Sequence, residues 1–141
     1  MMKTLGGLRS EDQTREYLQV NLDHWERYGF GLWLLREAEC SAVVGRSAIR
    51  HVDIQGQPEV ELAYALMPNY WRRGLATEVA RAMLELAFSE LRLRELVAFS
   101  LPDNVASRRV MEKSGGTYER EVLRGGRRHV LYRFRHGIAV I

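Results

Sequence analysis

The sequence predicts a single mixed α/β domain, and three observations carry that expectation. Helical and strand-like stretches alternate along the chain in the order helix, three strands, helix, strand, helix, hairpin. The chain has 141 residues, 46% hydrophobic and 28% charged, which suits one ordinary domain that buries a real core. No internal repeat, low-complexity tract or linker interrupts it.

Each element follows from local chemistry. Ser10-Glu11-Asp12-Gln13 is a capping box, in which the serine and the glutamine three residues later satisfy each other's backbone N–H. Leu18, Leu22 and Trp25 then recur at helical spacing, and Gly29 and Gly31 close the helix. Leu32 to about Glu37 is apolar and strand-like, and Ala42 to Ile54 reads as a second strand with a bulge at Gly45. Gln55-Gly56-Gln57-Pro58 is turn chemistry. Glu59 to Leu66 alternates polar and buried positions until Pro68 and Asn69 end it. From Leu75 to Leu91, Val79, Met83, Leu86, Ala87 and Leu91 line one side of a helix. Glu95 to Ser100 suits a central strand. Pro102-Asp103-Asn104 turns the chain into a short helix ending near Gly115 and Gly116. Tyr118 to Leu123 and His129 to Phe134 flank Gly125-Gly126, a hairpin signal.

Several function classes are disfavoured by what the chain lacks. A net charge of +3 tolerates an anionic ligand but is too small an excess to argue for nucleic acid. The hairpin arginines (Arg120, Arg124, Arg127, Arg128, Arg133, Arg135) have no aromatic stacking motif beside them, so they read as a solvated sheet face. His24, His51, His129 and His136 lack metal-ligand spacing, and no metal is expected. Gly45-Arg46-Ser47-Ala48-Ile49 starts like a nucleophile elbow without its second glycine, and no phosphate-loop or dinucleotide fingerprint is present. The single cysteine, Cys40, suits a reducing cytoplasm and reads as structural or incidental. The opening MMKTLGGLRS has no leader character, and no apolar run approaches the ~20 residues of a membrane helix, so a cytoplasmic protein is expected.

Arg72-Arg73-Gly74 precedes the helix that starts at Leu75, where cations oppose the helix dipole. Either both guanidinium groups are solvated, or an anion belongs there. Small Gly74 and Ala76 let a ligand near the backbone, and the first helical turn leaves N–H groups free, which together make a pyrophosphate seat.

Trp71 to Val79, WRRGLATEV, resembles the coenzyme-A-binding motif of the GNAT acetyltransferase superfamily: Gln or Arg, two residues, Gly, one residue, then Gly or Ala. The likeness is strongest to the branch that includes ribosomal-protein N-terminal acetyltransferases, which Trp71 also suits. NVASRRVMEKSGGTYER (Asn104 to Arg120) resembles the family's second motif, and ELAY (Glu61 to Tyr64) a strand motif of the same branch. Together they cover roughly residues 30 to 135.

The resemblance implies a GNAT-like twisted mixed sheet flanked by helices, α/β of the α+β kind, whose central strands splay apart. Those strands are Glu59–Met67 and Glu95–Ser100 here, and the gap admits the pantetheine arm of acetyl-CoA, a co-substrate. Backbone groups of Leu66 and Met67 would hold the arm and orient the thioester. The N–H groups of Arg72, Arg73, Gly74, Leu75, Ala76 and Thr77 would hold the pyrophosphate. Asn104 and Ser107 would lie near the thioester. Arg108 or Arg109 would reach the phosphates or stay in solvent. The implied activity is N-acetylation of a primary amine, a protein N-terminus or a small molecule. The alternative is a catalytically weak GNAT-fold scaffold that binds coenzyme A.

Such chemistry needs the amine as free base, although a lysine-like amine titrates near 10.4 and an α-amino group near 8. Glu61, matching the branch's strand glutamate, is the candidate proton acceptor, directly or through water. Met111 stands where many family members carry a proton-donating tyrosine, which leaves Ser107 or Tyr118 for the leaving thiolate. Gly116 replaces a usual phenylalanine, implying a looser wall near the thiol. The family's first strand has no counterpart before the first helix, so residues 1–141 read as one N-terminally short domain. The apolar tail Gly137-Ile138-Ala139-Val140-Ile141 is a candidate to fill that gap or to pair with another chain's edge in a homodimer.

Overall fold

A computed structural model describes residues 10–137 of the chain. Expectations on the first strand and on the tail beyond Gly137 concern positions outside those residues. The chain runs α1 (Glu11–Tyr28), β1 (Leu32–Arg36), β2 (Val43–Ile54), β3 (Gln57–Leu66), α2 (Leu75–Glu85), β4 (Glu95–Ser100), α3 (Val105–Lys113), β5 (Thr117–Arg124) and β6 (Arg127–Arg135).

The capping box forms as read: Ser10 Oγ accepts from Gln13 N–H at 3.1 Å, and Gln13 Oε1 accepts from Ser10 N–H at 2.8 Å. The face that α1 presents is not the expected one. Leu18 and Leu22 are 51% and 62% exposed, and docking falls to polar anchors instead. Trp25 Nε1 donates to Leu32 C=O at 2.8 Å while its ring meets Trp33 edge-on. His24 Nε2 accepts the His51 backbone N–H at 3.0 Å, so Nδ1 carries the ring hydrogen and donates to Phe30 C=O at 2.6 Å. Directional bonds fix the helix's rotation where apolar periodicity alone does not.

The sheet has six strands in the order β1-β2-β3-β4-β6-β5, antiparallel throughout except between β3 and β4. The β2–β3 turn is shorter than the sequence suggests. Gln55 (φ 53) and Gly56 (φ 85) make a two-residue hairpin turn, and Pro58 lies within β3 opposite Asp53. A proline is tolerated there because the position would direct its absent N–H toward β4, beyond the reach of pairing. The ladder slips opposite Val44, beside Gly45, as expected of a bulge. A Cβ on Gly45 would sit 2.2 Å from Ala65 O, so only glycine fits. Helix α2 also stops short of Leu91, since its last turn widens into a π-turn over Leu86–Glu90.

Helices α2 and α3 cover one face, burying Ala80, Met83, Leu84, Ala87 and Met111 against Ile49, Leu62, Leu96, Ala98, Val130, Tyr132 and Phe134. Strand alternation sends the remaining side chains to the other face, where Ile54, Val97, Val122 and Leu131 form a smaller cluster among charged residues. There Arg133, 8% exposed, binds Glu59 of β3, Glu95 of β4 and Glu119 of β5 at 2.7–3.0 Å. It ties together the amino-terminal ends of the two parallel strands. Past that clamp β3 and β4 pair at one position, Glu61 with Val97, and diverge toward Leu66 and Ser100.

Gly116 does not loosen a wall. A Cβ there would lie 2.8 Å from the Phe134 ring and 2.9 Å from Met111 O, so β6 supplies the aromatic group that fills the space. Among the described residues no helix is long and apolar enough to cross a membrane.

Candidate active site

The divergence of β3 from β4 leads to a backbone cup at the start of α2. Trp71 folds back so that its indole N–H donates to Leu66 C=O at 2.9 Å. Arg72 (φ 63) and Gly74 (φ 75) both take left-handed backbone conformations, which turns successive N–H groups inward as an anion-binding nest does. No side chain caps the helix. Glu78 N–H is the first to bond back, to Gly74 C=O at 3.2 Å, so the N–H groups of Leu75, Ala76 and Thr77 have no helical acceptor. The Arg73 guanidinium lies over the Tyr70 ring, and neither Arg72 nor Arg73 pairs with a carboxylate among the described residues. Residues 72–77 thus make up the turn and the first helical turn, with three N–H groups free of helical acceptors.

Leu66 and Met67 separate. Met67 N–H donates to Val44 C=O at 2.7 Å and so is engaged with β2. Backbone groups alternate in direction along a strand, which turns the N–H groups of Leu66 and Tyr64 toward β4, where the ladder has ended.

Tyr64 was not among the residues the sequence singled out as functional. Its hydroxyl is buried without a hydrogen-bond partner among the described residues. Burial pushes its pKa above the ordinary tyrosine value, and the Ser107 side chain pulls it partly back, although the contact falls short of a well-formed hydrogen bond. Ser107 is in the first turn of α3, where its N–H donates to the capping Asn104 Oδ1 at 3.1 Å. Asn104 and Ser107 thus sit on one helix start with Ser107 facing Tyr64. The signal in the sequence was alternation: Tyr64 shares a strand face with Leu62, so it must point under the helices.

Tyr118 is elsewhere. It lies on the outermost strand, half-exposed, edge-on to Tyr132 and beneath Arg108. Arg108 is half-buried; it donates to Tyr132 Oη at 3.1 Å and Pro102 C=O at 3.0 Å, and Tyr132 Oη donates in turn to Glu112 at 2.9 Å. Arg109 is exposed.

Glu61 stands at the apex of the divergence, on the face away from α2 and α3. Its carboxylate is 5% exposed and held by Arg50 Nε at 3.0 Å and by Arg124 Nη1 at 2.9 Å. Beside it on the same face a cavity of about 170 Å³ opens under α1, with Ala48, Ala63 and Ala65 as floor and Tyr17, Arg46 and Arg50 as walls. A second cavity, about 600 Å³, runs along α2 from Arg73 and Leu75 to Met83, opposite Leu35 and Val44. Among the described residues no cluster of His, Cys, Asp and Glu reaches metal-binding size. Cys40 is exposed, its thiol on Glu37 at 2.8 Å.

Comparison with known proteins agrees with this architecture. The family described as Acetyltransferase (GNAT) domain matches residues 1–117. YkkB of Bacillus subtilis, itself uncharacterized, is 32% identical over 122 residues, which are 86% of this chain and 71% of that protein. An acetyltransferase from Agrobacterium tumefaciens superposes with a TM-score of 0.80 at 28% identity, covering 94% of this chain and 76% of that one. RimL, a ribosomal alpha-N-protein acetyltransferase solved in complex with coenzyme A, shares the fold with a TM-score of 0.73 at 18% identity, covering 90% and 73%. With its family match spanning most of the sequence and a sheet split between β3 and β4, the chain belongs to the GNAT acetyltransferase family of enzymes.

Proposed function

We propose that this protein transfers an acetyl group from acetyl-CoA to a primary amine, a protein N-terminus or a small molecule. The observation that carries the proposal is the single pairing of β3 with β4, which frees the strand end leading to the left-handed turn at Arg72 and Gly74. A diphosphate in the cup meets the N–H groups of residues 72–77 and two unpaired arginines. The pantetheine arm then follows β3 from Leu66 toward Tyr64, a rise of roughly 7 Å over two residues. A thioester carbonyl lying there meets a strand N–H, which stabilises the oxyanion.

The acceptor amine arrives from the opposite face and attacks the carbonyl carbon. The C–N bond forms, the C–S bond breaks with its electron pair moving to sulfur, and the ammonium proton leaves to water. Ser107 protonates the thiolate, Tyr64 re-protonates Ser107, and the proton that the ammonium gave to water returns to Tyr64, so the net transfer is from amine to thiol. Two guanidinium groups, from Arg50 and Arg124, occupy the Glu61 oxygens. The part of Glu61 is to fix Arg50 at the wall of the acceptor pocket, with Arg124 behind it. Tyr118, packed edge-on to Tyr132 and beneath Arg108 on the outermost strand, is given no step.

The occupied Glu61 also favours a second reading, a scaffold that binds acetyl-CoA with little turnover. Free-thiol release measured with acetyl-CoA and a panel of amines, beside calorimetric affinity, separates the two. Turnover is expected. Binding without turnover on any amine favours the scaffold, and no binding rejects both. Tyr64→Phe is expected to lower kcat about 10²-fold while acetyl-CoA affinity changes less than about threefold. The lone exposed thiol suits a reducing cytoplasm, and β1 offers an edge to a second copy of the chain.

A further inference from the structure

We infer that the acceptor carries an anionic group, a carboxylate, close to its amine; this deepens the acetyltransferase reading and rests on it. The cavity beside Glu61, lined from α1, β1, β2 and β3, is the recess next to the β3–β4 pairing that an acceptor from the open face can enter. At about 170 Å³ it takes the end of a small amine or of a peptide, not a bulky ligand. Its floor is three alanines, which select for nothing but size. Charge is what the walls supply.

Arg46 and Arg50 line this pocket, Arg124 lies behind it on the far side of Glu61, and Glu61 is the one carboxylate bonded to any of the three among the described residues. The local balance is three cations to one anion. Arg50 and Arg124 are spent on Glu61. Arg46 is half-buried and has no carboxylate partner among the described residues; its guanidinium lies 5.3 Å from the Tyr17 ring centre. Packing over a ring uses the π-face of a guanidinium and leaves its in-plane N–H fork directed outward. A planar fork at the wall of a small pocket matches a carboxylate in a two-point bond. The same charges repel an acceptor with a second ammonium, so polyamines are disfavoured by construction. They also lower the pKa of a bound amine and so raise its reactive free-base fraction.

The test compares γ-aminobutyrate, butylamine and putrescine, amines of similar length with a carboxylate, a methyl group or a second amine at the far end. Acetyl-CoA affinity is measured in parallel. The expected order of kcat/KM is γ-aminobutyrate, butylamine, putrescine, with about tenfold between the first two. Arg46→Glu should shift the ratio of γ-aminobutyrate to putrescine by at least about tenfold toward putrescine. Tripeptide amides with aspartate or asparagine at the second position decide whether the carboxylate belongs to a peptide: an aspartate preference of about tenfold assigns it there, and its absence beside γ-aminobutyrate preference assigns a free small molecule. Acetyl-CoA binding with putrescine acetylated as well as γ-aminobutyrate, or a ratio unmoved by Arg46→Glu, overturns the inference and leaves the acetyltransferase reading standing. No acetyl-CoA binding overturns both.

Discussion

Gly74 has two duties that a single substitution separates. Its φ of 75° is left-handed, and a Cβ there would meet nothing within 4 Å. Gly74→Ala therefore meets no clash, only backbone strain of about 1 kcal/mol. Thermal unfolding should register that loss, and calorimetry a weakening of acetyl-CoA binding of about tenfold as the cup opens. Glu61 poses a sharper question, because it is both the family-like glutamate and the centre of an ion triad. As a positioning residue, Glu61→Gln should raise the acceptor KM and cost stability of about 2 kcal/mol, leaving the pH slope of kcat/KM unchanged. If instead kcat falls about 10³-fold with acceptor KM intact, Glu61 is the base. The glutamate was legible as a residue of interest from its place in ELAY. Its two arginine partners, eleven positions before it and sixty-three after it, were not, since no local pattern ties residues so far apart.

At the scale of elements, the join between α1 and the sheet rests on aromatic and histidine contacts in place of leucines. His51 packs against Tyr28 with ring centres 4.1 Å apart and planes tilted by 41°, and its pKa is lowered from 6.5 by burial, then by His24 and Arg27. A depressed histidine means that the unfolded chain takes up a proton which the folded one resists. Stability is thus full above about pH 6.5 and declines as pH falls through the folded value. The melting temperature should drop between pH 7 and pH 5, and His51→Gln should flatten that drop. Element types and order were legible throughout, because capping, alternation and turn residues act locally. The rotation of α1 was not, since a stripe of leucines says that a face is apolar without saying that anything will cover it.

For the molecule as a whole, the open gap requires a closed end. Arg133 supplies it by binding carboxylates from β3, β4 and β5 together. Hydrogen bonding from Arg133 is the main cause holding the Glu119 carboxyl below its ordinary range, and the partners keep Arg133 itself charged well above its own. A depressed carboxyl contributes stability above its unfolded pKa near 4.5 that is lost as pH falls through the folded value. Arg133→Met leaves Glu59 without its cation, and Glu95 and Glu119 with only Arg135 and Arg120. It should cost about 3 kcal/mol at neutral pH and visibly less near pH 4, measured by denaturant unfolding.

The sequence by itself determined the alternation of elements, the capped start of α1, its glycine stop at Gly29, and the turn ahead of α2. All of these depend on residues within a few positions of one another, where sterics and backbone hydrogen bonding act directly. Tertiary structure alone decided that Met67 turns its N–H to β2 while Leu66 faces the gap, and that Tyr64 rather than Tyr118 stands near Ser107. It also decided that Phe134 packs against Gly116, and that arginines from two distant strands share one glutamate. Those outcomes rest on strand register and on long-range charge pairing, which exist only once the sheet has closed around its clamp.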